Sequence, residues 1–425
     1  MQHKNIIALL FLSIWLAACG ALAAPRPAPT PEITPLASTS ALPGLPAAQV
    51  VRQPDPEDTT YFNAHPSMPM YDPNSTDPFQ DDLRSANLTR LDLSKSKEAL
   101  LYADFDSKTQ WPATDKMPAD FDWQKIMETS KNPGLGMRYL HQKGITGRGV
   151  GIAIIDETLL VDHVEYKDRL RVYEEADDVR SNAEAAMHAP AVASIAVGKT
   201  VGVAPEADLY FIASGSCGGF AGIEDFDFSC MAKSVQRIIE INKGLPEGRK
   251  IRVLSMSIGW SPQNKGYQEI TAAVNDAKAA GIFVVSSSLS ETYGLNFNGL
   301  GRNPLANPDE FTSYEPGLFW STEFFEGKVP GQSLMVPMDT RTTASPTGVD
   351  DYVYYRNGGW SWSIPYLAAT YALAAQVRPD ITPEQFWKLA LETGQTIQVQ
   401  HGWKSYALGT ILDPPALIAA LQKQP

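Results

Sequence analysis

Short apolar runs alternate with longer amphipathic stretches from about residue 131 to the end of the chain. Each run is continuous instead of alternating with polar residues, which is typical of a strand buried on both faces of a parallel sheet. We expect strands at residues 150–156, 207–213, 251–259 and 281–288.

Helical periodicity fills the segments between and after these runs. Helices are predicted directly after His188, over residues 232–244 and 266–281, and again from Pro365 and from Pro383. The closing stretch DPPALIAAL predicts one more helix. Alternating strands and helices predict an α/β fold, with a central, mostly parallel sheet that helices cover on both faces.

The first residues, MQHKNIIALLFLSIWLAACG, have the layout of an export signal. Lys4 supplies the positive start, and the apolar residues 6–15 are too few to span a bilayer as a helix. Residues 16–19 resemble the lipobox of bacterial lipoproteins. This resemblance implies that residues 1–18 are removed and that Cys19 becomes the lipidated N-terminus. A plain secretory signal with a chance cysteine is the alternative. We expect a protein of the cell envelope, outside the cytoplasm and anchored to a membrane by its lipid.

Composition separates the remaining chain into three parts. Residues 19–56 are rich in Pro and Ala and predict an extended tether that carries the lipidated cysteine. Residues 57–130 are rich in loop residues, with one amphipathic piece, LSKSKEALLYADF, and fit either a wrapping extension or a pro-segment. The α/β pattern occupies residues 131–425, which we assign to one domain.

Charge and cysteine content narrow the classes of partner. The 425-residue chain has a formal net charge of −13, which argues against a nucleic-acid partner because such partners require a basic face. Cys217 and Cys230 are close enough in sequence to form a disulfide in an oxidising compartment, and two free thiols are the alternative. A zinc site is not expected there, because neither CxxC spacing nor a nearby histidine is present.

Three residues are candidates for chemistry, and each also has a structural interpretation. Asp156 follows the first predicted strand, where functional groups of α/β sheets gather, although an Asp there often only caps a loop. His188 precedes a helix, whose N-terminus favours the neutral imidazole that a general base needs. Ser361 lies in GGWSWSIP before a long apolar helix, which Ser361 or Ser363 could simply cap.

The order Asp, His, Ser along the chain is the order found in subtilisin. GITGRGVGIAIIDETLLVDHVEY is similar to the subtilase segment around the catalytic aspartate. MHAPAVASIAVGKTVGVAPEADLYFI resembles the histidine motif, and GWSWSIPYLAATYAL resembles the serine motif GTSMASPHVAGAAAL. Residues 131–425 are therefore identified as similar to the subtilisin-like serine peptidases.

This resemblance implies a serine endopeptidase that hydrolyses peptide bonds through an acyl-enzyme. Ser361 would be the nucleophile, His188 the base that accepts its proton, and Asp156 the group that orients the imidazole. The partners implied are a protein or peptide substrate and the membrane that holds the anchor. No cofactor is required for catalysis, and calcium, common in the family, has no carboxylate cluster here that would identify its ligands.

Departures from the family motifs concern the oxyanion site and the substrate cleft. Ser290 aligns with the family's oxyanion asparagine, and loss of such a donor costs about 10²–10³ in rate, a magnitude known from subtilisin itself. Residues 257–260, Ser-Ile-Gly-Trp, resemble the strand that pairs with bound peptide. Trp260 and Leu289 are expected to narrow this cleft, unless nearby loops shift to make room. The alternative function is accordingly a catalytically weak or inactive subtilase-fold lipoprotein that serves as a binding or signalling module.

Overall fold

The computed structural model describes residues 48–59, 68, 71–72, 81–217, 226–328 and 332–423. Within it, Pro46–Pro425 group as one unit. The export signal and Cys19 lie outside the described residues, so their assignment stays a prediction. Of the helices in the described part of the chain, none has the length and apolar character that a membrane span requires.

The strands, numbered along the chain, are β1 (Gln49–Val50), β2 (Phe105–Asp106), β3 (Gly151–Asp156), β4 (Leu170–Glu175), β5 (Asp208–Ala213), β6 (Ile251–Met256), β7 (Phe283–Ser286), β8 (Phe297–Arg302), β9 (Tyr314–Pro316), β10 (Leu334–Pro337), β11 (Arg341–Ala344), β12 (Tyr352–Tyr355), β13 (Gln395–His401) and β14 (Lys404–Ile411). The helices are α1 (Lys97–Tyr102), α2 (Trp123–Thr129), α3 (Met137–Gln142), α4 (His188–Val197), α5 (Ser229–Gly244), α6 (Tyr267–Ala279), α7 (Leu289–Tyr293), α8 (Ser321–Phe325), α9 (Trp360–Val377), α10 (Pro383–Thr393) and α11 (Pro414–Lys423).

Six strands form a parallel sheet in the order β1-β4-β5-β3-β6-β7. Alternate side chains of β3 enter opposite cores, since successive residues of a strand point to opposite faces. Ile152 and Ile154 pack in the core that contains residues of α4 and α9. Ala153 and Ile155 pack in the core that contains residues of α5 and α6. The predicted α/β fold, with a parallel sheet covered on both faces, is confirmed.

Two smaller sheets were not predicted from the sequence. One has the order β13-β14-β10-β8-β9, and the other has the order β11-β12-β2. Most of their strands are short, and the β13–β14 hairpin is largely exposed, so their sequences lack the continuous apolar runs that identify the central strands. The third sheet matters for the site because β12 leads directly into α9.

The predicted tether is too long at its C-terminal end. β1 pairs in parallel with β4, so residues 49 and 50 extend the central sheet. Arg52 then donates to both carboxylate oxygens of Glu175, with a shortest N–O distance of 2.7 Å. These contacts correct the assignment of residues 48–56 to a tether.

Residues 81–130 pack on the α/β body. β2 pairs antiparallel with β12, with Phe105 opposite Tyr354. Tyr354 in turn belongs to an apolar cluster that is otherwise formed by this N-terminal stretch, including Leu83, Leu100 and Phe105. The N-terminal stretch, which we call the extension, therefore shares a sheet and a core with the segment that precedes α9.

Cys217 and Cys230 are joined in a disulfide, with their Cα atoms 5.4 Å apart. The bridge connects the chain after β5 to the first turn of α5 and leaves neither thiol free for other chemistry.

Candidate active site

Asp156 and His188 meet at the carboxyl edge of the central sheet. Asp156 is the last residue of β3, and His188 is the first residue of α4. The imidazole Nδ1 lies 2.8 Å from Asp156 Oδ1, which also accepts a hydrogen bond from the Glu157 N–H. An aspartate carboxylate accepts hydrogen bonds and donates none, so Nδ1 of His188 carries the proton in this contact. Nε2 of the neutral ring is then the basic nitrogen.

Burial and charge act in opposite directions on His188. Burial disfavours the imidazolium, but the charge and hydrogen bond of Asp156, together with the charge of Glu157, outweigh it and raise the pKa of His188 above 6.5. The position of His188 at a helix N-terminus predicts the opposite, a neutral ring. Two carboxylates close to the ring reverse the direction of that expectation.

Ser361 is the second residue of α9, and Gly359 is the N-cap residue. Gly359 has a φ of +61°, and a Cβ there would lie 3.2 Å from the Phe319 ring, so glycine fits this position on both counts. No side chain caps α9, and Ser363 Oγ instead donates to the Pro337 carbonyl at 3.4 Å. The capping interpretation of Ser361 and Ser363 is therefore wrong.

The start of α9 is tied to the end of β6 by a reciprocal pair of hydrogen bonds. Pro365 has no N–H to give to the Ser361 carbonyl, four residues earlier in the helix. That carbonyl accepts from Ser257 Oγ at 2.9 Å instead. Ser361 Oγ donates to the Ser257 carbonyl at 3.4 Å, and this is its one hydrogen bond among the described residues. No hydrogen bond joins Ser361 Oγ to His188 among the described residues.

One cavity of about 610 Å³ brings these groups together. His188 and Ser361 both line it, as do Ser257, Ile258 and Gly259 of the segment expected to bind substrate. Trp360 and Trp362 complete this wall, and the rings of His188 and Trp362 lie 5.3 Å apart between centroids. The two tryptophans that flank Ser361 thus form a rigid apolar surface beside the imidazole.

Two residues of the expected cleft, Trp260 and Leu289, and the oxyanion candidate Ser290 are not among the described residues that line this cavity. Leu289 is fully buried in the core that contains α4 and α9, and Trp260 is buried in the opposite core. Ser290 is exposed on α7. The expectation that Trp260 and Leu289 narrow the cleft is corrected, because both side chains are used in packing. Ser290 is likewise outside the cavity in which an oxyanion donor would have to act.

Other groups of the cavity have the chemistry of an oxyanion donor. The first N–H groups of a helix have no partner within the helix, and Ser361 contributes one of them at the start of α9. Ser287, directly after β7, also lines the cavity and has a hydroxyl that can donate. Ser287 was not predicted, because the family's asparagine aligns with Ser290, three residues further along.

The extension contributes a whole wall that the sequence did not indicate. Asp81, Asp82, Arg84, Tyr102 and Asp104 line the same cavity as His188 and Ser361. Residues 81–84, with two aspartates and an arginine, resemble any exposed turn in sequence. The pairing of β2 with β12 and the bridge between Asp82 and Asp104 bring this wall to Ser361.

The extension also contacts the segment that precedes Ser361. Asp104 Oδ1 accepts a hydrogen bond from the Arg356 N–H at 2.7 Å. Asp339 Oδ1 accepts from the Gly358 N–H at 3.0 Å. Burial raises the pKa of Asp104 to about 7 and that of Asp339 to about 6. The segment between β12 and α9 is thus fixed by one carboxylate from each side.

No metal centre is indicated in the part of the chain that the structure describes. No group of three or more His, Cys, Asp or Glu side chains there has an arrangement that could hold an ion. Calcium therefore has no assigned ligands.

Comparison with known proteins gives a family for the middle of the chain. Residues 147–313 match the Subtilase family, Peptidase_S8, and this range contains Asp156 and His188 but ends before Ser361. No curated protein sequence matches the chain significantly. Among solved structures, one titled "Structure of Prenylagaramide maturation protease PagA" is similar at a TM-score of 0.45 and 13% identity, over 67% of this chain and 98% of that chain.

The subtilase match, the α/β architecture and the order Asp156, His188, Ser361 agree with one another. Residues 147–313 of the chain are therefore similar to the Subtilase family of peptidases.

Proposed function

We propose that the protein is a serine endopeptidase in which Asp156, His188 and Ser361 form the catalytic triad. The observation that carries the proposal is the 2.8 Å contact of His188 Nδ1 with Asp156 in a cavity that Ser361 also lines. Chemistry of this kind requires a nucleophile, a base near it and a third group that orients the base.

The proposed reaction begins with rotation of Ser361 Oγ away from the Ser257 carbonyl towards His188 Nε2. The oxygen then attacks the peptide carbonyl carbon while Nε2 takes the hydroxyl proton. Collapse of the tetrahedral intermediate breaks the C–N bond, and the imidazolium gives its proton to the leaving amine. Water repeats the sequence on the acyl-enzyme. Asp156 stabilises the imidazolium throughout without accepting its proton.

A weak or inactive relative that binds peptides is the second candidate. It is favoured by the 3.4 Å donation of Ser361 to the Ser257 carbonyl in place of His188, and by the position of Ser290 outside the cavity. Hydrogen bonds of an active site are often loose before substrate binds, so the first of these observations is compatible with an active enzyme.

Labelling with a serine-reactive fluorophosphonate separates the two candidates. An active triad gives a covalent adduct on Ser361 in the unmodified chain, and Ser361→Ala removes both the adduct and the peptidase activity. Ser363→Ala, two residues along the same helix, is the matched control and keeps the adduct. An inactive binding module gives no adduct in any of the three proteins.

We also propose that the enzyme is attached to a membrane outside the cytoplasm through a lipid on Cys19. The support is the LAAC sequence that follows the charged and apolar parts of the signal. Cys19→Ala should move the protein into the soluble extracytoplasmic fraction, whereas Ser13→Ala in the apolar stretch should leave it with membranes. A Cys19→Ala protein that stays with membranes contradicts the anchor.

A further inference from the structure

Asp81 is the least compensated charged group on the wall of the active-site cavity. The residue lines the cavity and is only 3% exposed. Neither carboxylate oxygen has a hydrogen-bond partner among the described residues. A buried carboxylate without a partner costs free energy. A hydrogen-bond donor or cation from a bound ligand would remove this cost.

The neighbouring carboxylates differ from Asp81 because they already have partners. Asp82 receives two hydrogen bonds from the Arg84 guanidinium, the shorter at 2.6 Å. Asp104 receives the Arg356 N–H. Arg84 also donates to the Tyr355 hydroxyl at 3.3 Å and does not reach Asp81. The cation on this wall is therefore committed to other groups.

Asn357 adds a second unpartnered group to the same cavity. The residue is 2% exposed, and neither its amide nitrogen nor its amide oxygen has a partner among the described residues. Its oxygen is an acceptor for a donor that enters the cavity. Two buried side chains with unused acceptors thus line one space.

The rest of the lining fits the stem of a long cationic side chain. Tyr102, Tyr355, Phe319 and Trp360 contribute aromatic surface to the cavity. Aliphatic stems of Lys and Arg pack on such surface while the charged end reaches a polar group. A neutral apolar side chain would use the rings but leave Asp81 unpaired.

We propose that this cavity is a specificity pocket for a Lys or Arg side chain of the substrate, with Asp81 as its counter-ion and Asn357 as a second acceptor. The proposal rests on the proposed function, because it names the substrate class of the same site. The extension is then part of the substrate-binding site and not a covering to be removed.

The test measures peptide binding without catalysis, in the full chain carrying Ser361→Ala. The probes are alanine-based octapeptides in which one Lys is moved through every position, each paired with a peptide that has norleucine there. We expect at least one position at which Lys binds about 10- to 100-fold more tightly than norleucine, the range of a hydrogen bond to a charged group. Adding Asp81→Asn should reduce that preference to less than about threefold.

Asp115→Asn is the matched control, because Asp115 is exposed on the same extension and does not line the cavity. It should keep the full preference for Lys. The proposal is overturned if no position prefers Lys, including the case in which no peptide binds at millimolar concentration, or if Asp81→Asn keeps the preference.

Fluorophosphonate labelling of the unmodified protein reports separately on the proposed function. If the protein prefers Lys through Asp81 but Ser361 is not labelled, the specificity pocket is supported and the peptidase function is overturned. If Ser361 is labelled and peptides are hydrolysed without any preference for Lys, the peptidase function is supported and the specificity pocket is overturned.

Discussion

Asp81→Asn should gain stability relative to the unmodified protein as the pH rises from acid to neutral. Burial raises the pKa of Asp81 in the folded protein to about 6, from an ordinary value of 3.8. Between these values the unfolded chain loses its proton while the folded chain keeps it, so the folded state binds more protons. The contribution of Asp81 to stability is therefore complete below about pH 3.8 and is lost as the pH rises through about 6.

The magnitude follows from the difference between the two pKa values, about 2. At about 1.4 kcal/mol for each pKa unit, ionised Asp81 destabilises the folded protein by about 3 kcal/mol above pH 7. Asparagine cannot ionise, so the folded variant is not destabilised by a buried charge at this position. Its amide N–H groups can lack acceptors, but that penalty of about 1–3 kcal/mol does not depend on pH.

Urea unfolding of the full chain at a series of pH values isolates the ionisation. The free energy of unfolding of Asp81→Asn minus that of the unmodified protein should grow by about 2–3 kcal/mol between pH 4 and pH 8. Asp115→Asn, on the exposed surface of the same extension, should show little such change. Parallel curves for Asp81→Asn and the unmodified protein would refute the argument that Asp81 is buried without a partner.

Three further predictions concern the triad, the oxyanion site and the disulfide. The pKa of His188 is raised above 6.5 and the neutral ring is the base, so kcat/KM should rise with pH through a value above 6.5. Asp156→Asn should lower the rate by about 10⁴ and move this inflection to lower pH. An inflection that does not move would mean that another group titrates. Ser290→Asn should leave the turnover rate within about twofold, since Ser290 is exposed outside the cavity, and a gain approaching 10²-fold would return the oxyanion role to this position. Replacing both Cys217 and Cys230 with Ala should lower the free energy of unfolding by about 3 kcal/mol, measured by urea unfolding, whereas an unchanged value would mean that the bridge does not constrain the unfolded chain.

The parts of the fold that could be predicted are those in which local pattern and tertiary burial agree. β3, β5, β6 and β7 are largely apolar runs because both faces of the sheet are covered, and α10 begins at Pro383 as predicted, with a capping box between Thr382 and Gln385. β4, with the sequence LRVYEE, escaped prediction because charged residues interrupt its apolar run. Several strands of the smaller sheets were missed because they are only two to four residues long.

Some residues of the candidate site could be predicted from the sequence and others could not. Asp156, His188 and Ser361 could be predicted because each stands at the end of a strand or the start of a helix within a family motif. Asp81 and Asn357 could not be predicted, because neither lies in a motif and their place in the cavity depends on the pairing of β2 with β12. Leu289 and Trp260 were misplaced because alignment to a motif gives a position along the chain but not the direction of a side chain.

The central claim is that Ser361 is the nucleophile of an intact triad. It is tested most directly by intact-mass measurement and peptide mapping after reaction with a fluorophosphonate. We predict one adduct per chain, located on Ser361, formed at a rate that His188→Ala reduces strongly, and absent from Ser361→Ala. A protein that gives no adduct, or an adduct that persists in Ser361→Ala, would contradict the account.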